Sequence, residues 1–230
     1  MQDLPDSLMI FAAGFGTRMG ALTANRPKPL IEVAGRALLD HALDHARDAG
    51  IARVAVNTHY LADQIADHLD GQDIAIAQEE GLILDTGGGL RNALRLLGDG
   101  PVMTMNPDVI WRGPNPLDVL RRAWDPARMD ALLLCLDPAR TRGREGPGDF
   151  AMDGDGRLTR GGPVVYGGAQ IIDPAGLGCI PDTVFSLNRP WDAMIAAGRL
   201  HGVLYPGQWC DVGRPEGIAL AEAMLEERDA

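Results

Sequence analysis

The chain has 230 residues, 46% of them hydrophobic and 23% charged, which is enough to bury a sizeable core and ordinary for a globular cytosolic protein. Its formal net charge of −11, with no basic face or run to offset it, argues against a nucleic-acid partner. The acidic start MQDLPDSL lacks the features of a secretory signal, no apolar run approaches the roughly 20 residues of a membrane span, and three scattered cysteines (Cys135, Cys179, Cys210) read as unpaired thiols of a reducing cytoplasm.

In chain order, Leu8–Ala13 is a short apolar strand ending at Gly14. Ala37–Ala49 carries Leu38, Leu39, Ala42, Leu43 and Ala46 at helical spacing, with Gly50 as a stop. Ala52–Thr58 reads as a buried strand, Leu61–Leu69 as a helix, Asp73–Gln78 as a strand, Leu90–Leu97 as a helix, and Pro101–Asn106 as a strand running into Asp108. Asp130–Leu136 is one more strand. Such alternation implies parallel crossovers, hence an open, Rossmann-like α/β sheet with helices on both faces and ligands outside the carboxyl ends of the strands. Gly14, Gln78 and Asp108 all fall at those ends. The middle, Asp137–Ile172, is rich in Gly, Asp and Arg, with a DGDG hairpin signal and short alternating pieces up to PVVYGGAQII; it reads as an antiparallel patch over one end of the sheet. Two helices, Leu187–Ala197 and Pro215–Glu227, then surround a strand pair, His201–Tyr205 and Gln208–Val212. No repeat or linker is visible, so residues 1–230 read as one domain.

An acidic protein that handles phosphate must gather its cations at one place, and Lys28 is the only lysine. In GFGTRMG (Gly14–Gly20), glycines directly after a strand let backbone N–H groups turn toward an anion, while Thr17 and Arg18 add side-chain donors. The spacing is neither a Rossmann fingerprint nor a Walker A loop. In RPKPL (Arg26–Leu30), Pro27 and Pro29 hold Lys28 extended and present it, as suits charge neutralisation in phosphoryl transfer. Asp108 and Asp211 follow strands; they read either as caps of loop amides or as a converging carboxylate pair of the kind that holds Mg²⁺ together with substrate phosphates. His59, in NTHY, is assigned no catalytic role, because an ionised phosphate nucleophile needs little acid–base help.

The stretch AAGFGTRMGALTANRPKPLIEVAG (Ala12–Gly35) resembles the signature of the sugar-1-phosphate nucleotidyltransferase family, a GxGTR loop followed by a PKP lysine. LDTGGGL (Leu84–Leu90), GDFAM (Gly148–Met152) and QWCDVGRPEGI (Gln208–Ile218) resemble elements of its N-acetylmuramate-1-phosphate uridylyltransferase group, so the resemblance spans nearly the whole chain. It implies that Ala13, Gly14, Gly16, Thr17, Arg18 and Lys28 wrap the triphosphate, with Arg18 and Lys28 acting in catalysis, and that Thr86 and Gly87 lie under the nucleoside. It also puts Asp108 and Asp211 on Mg²⁺. Gln78, with Glu80 as runner-up, is the candidate for reading the base edge; Asp149, Tyr166 and Gly167 are candidates for the sugar. Two departures stand out: Pro107 precedes the first metal aspartate, and RGGPVVYGGAQ stands where hexose-1-phosphate relatives carry Glu-Lys-Pro, which favours an N-acetylmuramate-like substrate. The expectation is therefore a cytoplasmic, monomeric enzyme using UTP and N-acetylmuramate 1-phosphate in peptidoglycan recycling, with no nucleic acid or membrane partner. The alternatives are GTP with a heptose phosphate, UTP with a hexose phosphate, or a sensor that binds nucleotide-sugar without turnover.

Overall fold

A computed structural model of the chain describes residues 4–227. The expected open α/β sheet is present, with seven strands. From one edge to the other it runs β13 (Leu200–Leu204), β8 (Ala131–Leu136), β12 (Val165–Ile172), β6 (Val102–Met105), β1 (Ser7–Phe11), β4 (Arg53–Thr58) and β5 (Ala75–Gln78). All neighbours are parallel except at β12, which is antiparallel to both β6 and β8. The carboxyl ends of β1, β4, β5 and β6 therefore open on one side of the sheet. Chain order reverses around β1, which makes the topological switch point where α/β sheets bind ligands.

Helices cover both faces. On one side α1 (Leu38–Asp48), α2 (Ala62–Leu69) and α4 (Pro116–Ala123) bury Leu39, Leu43, Ile65, Leu117 and Leu120 against the sheet. On the other, α3 (Asp85–Leu97) and α5 (Asn188–Ala196) bury Leu90, Ala93, Leu97, Trp191 and Met194. α6 (Glu216–Glu226) closes a smaller core with Val33, Leu38, Ile110, Cys210 and Val212. The three cysteines are unpaired, Cys135 and Cys210 buried and Cys179 exposed. Among the described residues no helix is long and apolar enough to cross a membrane.

Three details depart from the sequence reading. The PVVYGGAQII stretch is not part of an outlying patch: as β12 it enters the centre of the sheet, where Ala169, Ile171 and Ile172 are fully buried, and only the β10 (Phe150–Met152) and β11 (Leu158–Arg160) hairpin forms the patch. Its pairing with β8 breaks register between Tyr166 and Gln170, at Gly167 and Gly168. Gly168 has φ +87° and packs on Asn106, so only glycine serves there. The last two strands are not a pair. β13 lies at the sheet edge, whereas β14 (Gln208–Asp211) belongs to a second sheet, antiparallel to β7 (Val109–Arg112) and parallel to β9 (Thr141–Arg142). Adjacent strands normally fold back as hairpins; here the Pro206–Gly207 bend, packed so closely on Arg112 that a Cβ at Gly207 would clash, sends the chain to another layer. Finally, β7 and α4 are absent from the sequence reading. α4 is only 8 residues long and shows one apolar pair, Leu117 and Leu120, although its Asn115 cap (accepting from Leu117 N–H at 2.9 Å) and Pro116 are a start signal. A short β2 (Glu32–Val33) and β3 (Arg36–Ala37) hairpin precedes α1.

One buried group gives the fold a pH dependence. His201, on β13, is 2% exposed and neither ring nitrogen has a hydrogen-bond partner. Burial is the largest effect and, with the charges of Arg128 and Arg157, holds its pKa below the usual imidazole value against the opposing pull of the Arg199 backbone and of Asp153. The unfolded chain then takes up the proton first, so stability is full above about 6.5 and falls as pH drops through that value toward the lower folded pKa. His201→Leu should abolish this contribution: urea unfolding at pH 8 and pH 5.5 will differ less in the variant than in the parent. An unchanged difference would show that His201 does not titrate on unfolding.

Candidate active site

The loop after β1 forms one wall of the site. Gly16 has φ +63°, and a Cβ there would lie 2.8 Å from the Lys28 Cβ and 2.9 Å from Thr23 Cγ2. The loop can therefore fold onto the lysine only through glycine. Thr17–Thr23 continues as a 3-10 segment kinked at Gly20, which the sequence reading had not given a helix. Tyr60 O–H donates to the carbonyl of Thr23 (2.9 Å), and Phe15 packs edge-on to His59. His59 itself bonds the Glu79 carbonyl through Nδ1 (2.8 Å), so NTHY braces the loop. Lys28 is not extended between its prolines. It opens a single 3-10 turn, Lys28–Leu30, in which Leu30 N–H donates to the Pro27 carbonyl (2.9 Å). That turn buries the lysine to 7% exposure, aimed at Asp108.

Lys28 Nζ donates to Asp108 Oδ2 at 2.5 Å. Asp211 comes to the same place because β14 pairs with β7, and Val212 N–H donates to the Asp108 carbonyl (2.9 Å). Burial, and next the charge on Asp108, raises the Asp211 carboxyl above its ordinary pKa; Lys28 and Arg18 pull it the other way. Gly213 packs between the charges: a Cβ there would lie 2.8 Å from Asp211 Oδ1 and 3.1 Å from Arg18 Nη1. Two hard oxygen donors that repel each other suit a divalent cation. Among the described residues no cluster of three or more His, Cys, Asp or Glu side chains forms a complete cage, so such a cation would take its other ligands from phosphates, as Mg²⁺ does. Asn106 N–H goes to the Gly168 carbonyl (2.8 Å) and Pro107 has none, so this stretch offers neither amide to a ligand.

These groups stand where two cavities meet. One, of about 510 Å³, is lined by Ala13, Gly14, Gly16, Thr17, Arg18, Lys28, Thr86 and Asp108 among others. The second, of about 390 Å³, shares Arg18, Thr86 and Asp108 and adds Asp149, Tyr166, Gly167 and Asp211. Gln78, Glu80 and Gly87 line neither. Gln78 and Glu80 are exposed, while Glu79 between them is 3% exposed: strand alternation puts it on the inner side with Ala77. Glu79 accepts from Asn57 Nδ2 (2.6 Å) and Leu84 N–H (2.8 Å), and Asn57 Oδ1 accepts from Ala12 N–H (2.7 Å). This chain of bonds ties the ends of β1, β4 and β5 to α3 and forms the floor of the larger cavity. Gly87 faces away from it: its N–H and that of Gly88 both donate to the Phe185 carbonyl, and a Cβ at Gly87 would run into the Phe185 ring. The N-terminus of α3 thus spends these donors on its own protein. Asp85 has φ +60° and lines both cavities.

On the second cavity's side Asp149 is committed to structure. Its Oδ1 accepts from Arg144 Nη2 (2.8 Å) and its Oδ2 from Tyr166 N–H (2.8 Å). Tyr166 stands edge-on to Trp191, and the Gly167 carbonyl accepts from Trp209 Nε1 (2.9 Å). Arg144 and Arg160 also line this cavity. Sequence spacing gave no reason to single them out among the many arginines of the middle segment.

The chain matches the model of the MobA-like NTP transferase domain over residues 8–205. It is 41% identical over 241 residues to the N-acetylmuramate alpha-1-phosphate uridylyltransferase of Caulobacter vibrioides, with 99% of this chain and 100% of that protein covered. A protein of the same name from Neisseria meningitidis is 30% identical, with 94% and 96% covered. The crystal structure of HddC from Yersinia pseudotuberculosis complexed with GMP-PN shares the fold at a TM-score of 0.77 and 20% identity, covering 96% of this chain and 99% of HddC.

Two substitutions test the geometry. Glu79→Ala leaves Asn57 and Leu84 without their acceptor in the buried floor and should cost about 1–3 kcal/mol in urea unfolding, with Glu79→Gln costing less. Asp211→Asn removes a partly buried charge repelled by Asp108. A carboxyl whose pKa is raised by folding weakens the fold above that pKa, so at pH 7 without divalent ions the variant should melt higher than the parent. A lower melting temperature would mean that the carboxylate is net stabilising.

Proposed function

The chain belongs to the family of MobA-like NTP transferase domains, and we propose that it transfers the uridylyl group of UTP to N-acetylmuramate 1-phosphate and releases pyrophosphate. One observation carries the reading: the glycine-rich loop, the buried Lys28 and the two carboxylates meet where two cavities join, so that a nucleotide in one and a sugar phosphate in the other would touch at their phosphates. The names of two relatives matched over nearly their full lengths support the choice of base and sugar. Such a reaction serves peptidoglycan recycling in the cytoplasm, where UTP is drawn.

An oxygen of the sugar 1-phosphate attacks the α-phosphorus in line, a new P–O bond forms, and the bond to the bridging oxygen breaks with its electron pair leaving on pyrophosphate. The nucleophile is already ionised, so no protein base or covalent intermediate is needed. Lys28 neutralises charge on the transferring α-phosphoryl group, and Arg18 with the amides of Gly14–Thr17 holds the leaving phosphates. Asp108 and Asp211 would hold Mg²⁺, which would offset negative charge among the phosphates. Lys28 would exchange its bond to Asp108 for a bond to a phosphate oxygen. Thr86 lines both cavities, and its Oγ1 accepts from Leu187 N–H at 3.0 Å, which anchors the segment beside it.

The reading is tested by pyrophosphate release with UTP, GTP, CTP and dTTP, each paired with N-acetylmuramate 1-phosphate and glucose 1-phosphate. Turnover should be confined to UTP with the muramate sugar, fall roughly 10²- to 10³-fold in Lys28→Ala, and stop on chelation with EDTA until Mg²⁺ is restored. Turnover with another pair would replace the substrates and keep the mechanism. Tight UTP binding with no turnover for any sugar would make the protein a sensor.

A further inference from the structure

The sugar-side cavity contains two arginines that the transfer step does not use, and they differ in position. Arg144 stands on the phosphate side: it also lines the groove shared by Arg18 and Asp211, and Asp149 holds its Nη2 at 2.8 Å. Arg160 lines the sugar-side cavity alone, beside Trp191 and Asn188. Its guanidinium carbon lies 5.1 Å from the centroid of the Phe150 ring and 5.7 Å from that of Trp191. Nε donates to Asp192 Oδ1 (2.8 Å) and Nη2 to the Asn188 carbonyl (3.1 Å), while Nη1 carries no hydrogen bond among the described residues.

This is a pre-positioned cation with one edge free. The side chain is 38% exposed, and the two rings and the Asn188 carbonyl orient the guanidinium, which lowers the rotamer freedom lost when a ligand binds. The Asp192 partner is 63% exposed and holds the head only as a solvent-screened surface pair does. A neutral sugar's hydroxyls can accept from such a group but leave its charge unanswered. An acidic one needs it, because the same cavity presents the carboxylates of Asp85, Asp149 and Asp211 in a protein of net charge −11.

We infer that Arg160 is the specificity residue that reads an anionic substituent on the sugar ring, donating from Nη1 to a carboxylate. Its ligand class is a carboxylated hexosamine 1-phosphate, such as one bearing a lactyl ether. The inference rests on the sugar-phosphate reading above and adds the group that selects among sugars.

The test is the ratio of kcat/KM for N-acetylmuramate 1-phosphate to that for N-acetylglucosamine 1-phosphate, with UTP and Mg²⁺, in the parent, Arg160→Gln, Arg160→Lys and Arg144→Gln. Where the neutral sugar turns over too slowly, its competitive Ki replaces its kcat/KM. Arg160→Gln should lower the ratio about 10- to 100-fold, mainly through KM for the acidic sugar. Arg160→Lys should recover part of it, and Arg144→Gln should weaken both sugars alike. The melting-temperature shift produced by UTP, kept in every variant, reports that each remains folded. An unchanged ratio in Arg160→Gln, or an equal loss for both sugars, overturns the assignment of Arg160 while leaving the reaction standing. A parent enzyme that does not use the acidic sugar overturns the substrate reading and this inference together.

Discussion

The site is organised around the contact between Lys28 and Asp108, an ammonium whose side chain is only 9% exposed held 2.5 Å from a carboxylate 80 residues away in sequence. Removing a charge from water is costly unless a partner is supplied. Supplying it here requires that the loop after β1 fold back over the carboxyl end of β6. Gly16 makes the approach sterically feasible, Tyr60 clamps the loop from β4's end, and β7 with β14 brings the second aspartate. The result is a compact arrangement of opposed charges in a strongly acidic protein. Phosphates would enter it by replacing protein partners one for one, so that Lys28 never faces an uncompensated apolar surrounding.

The same economy of donors governs the floor. Asn57 and Glu79 are both 3% exposed, and their hydrogen bonds satisfy one another and two backbone amides. α3 lies so near them that a Cβ on Gly89 would be 2.7 Å from Glu79 Oε1. The three glycines that open this helix therefore let it sink onto the strand ends and onto Phe185, rather than presenting its N-terminus to a ligand. Rigidity at the floor and free polar edges at the mouth are complementary: a cavity holds its ligand in one orientation only when its own polar groups are already committed.

Strand and helix periodicity was legible over most of the chain because the parallel strands are buried on both faces and read as continuous apolar runs, while α1 and α3 carry clear one-sided stripes. The loop with its lone lysine was legible for a chemical reason: an acidic chain with a single Lys between prolines has few other uses for it. What stayed hidden shares one property. The central position of β12, the parting of β13 from β14 and the burial of Glu79 between two exposed neighbours depend on which strand lies next to which, and pairing leaves no mark within a short segment.

The sequence by itself thus determined the local events: where strands stop, where glycine must turn the backbone, and which few residues have the chemistry to meet phosphate. Only the tertiary structure decided which of them meet. Asp108 and Asp211 are 103 residues apart and are neighbours because β7 pairs with β14. Gln78 and Glu80 sit at a strand end yet line neither cavity, because the alternation of the strand turns Glu79 inward. Arg160 was one arginine among many until the β10–β11 hairpin laid it on two aromatic rings at the wall of the cavity. Side-chain chemistry is a property of a residue, whereas a site is a property of distances, and distances between segments far apart in sequence are set by packing.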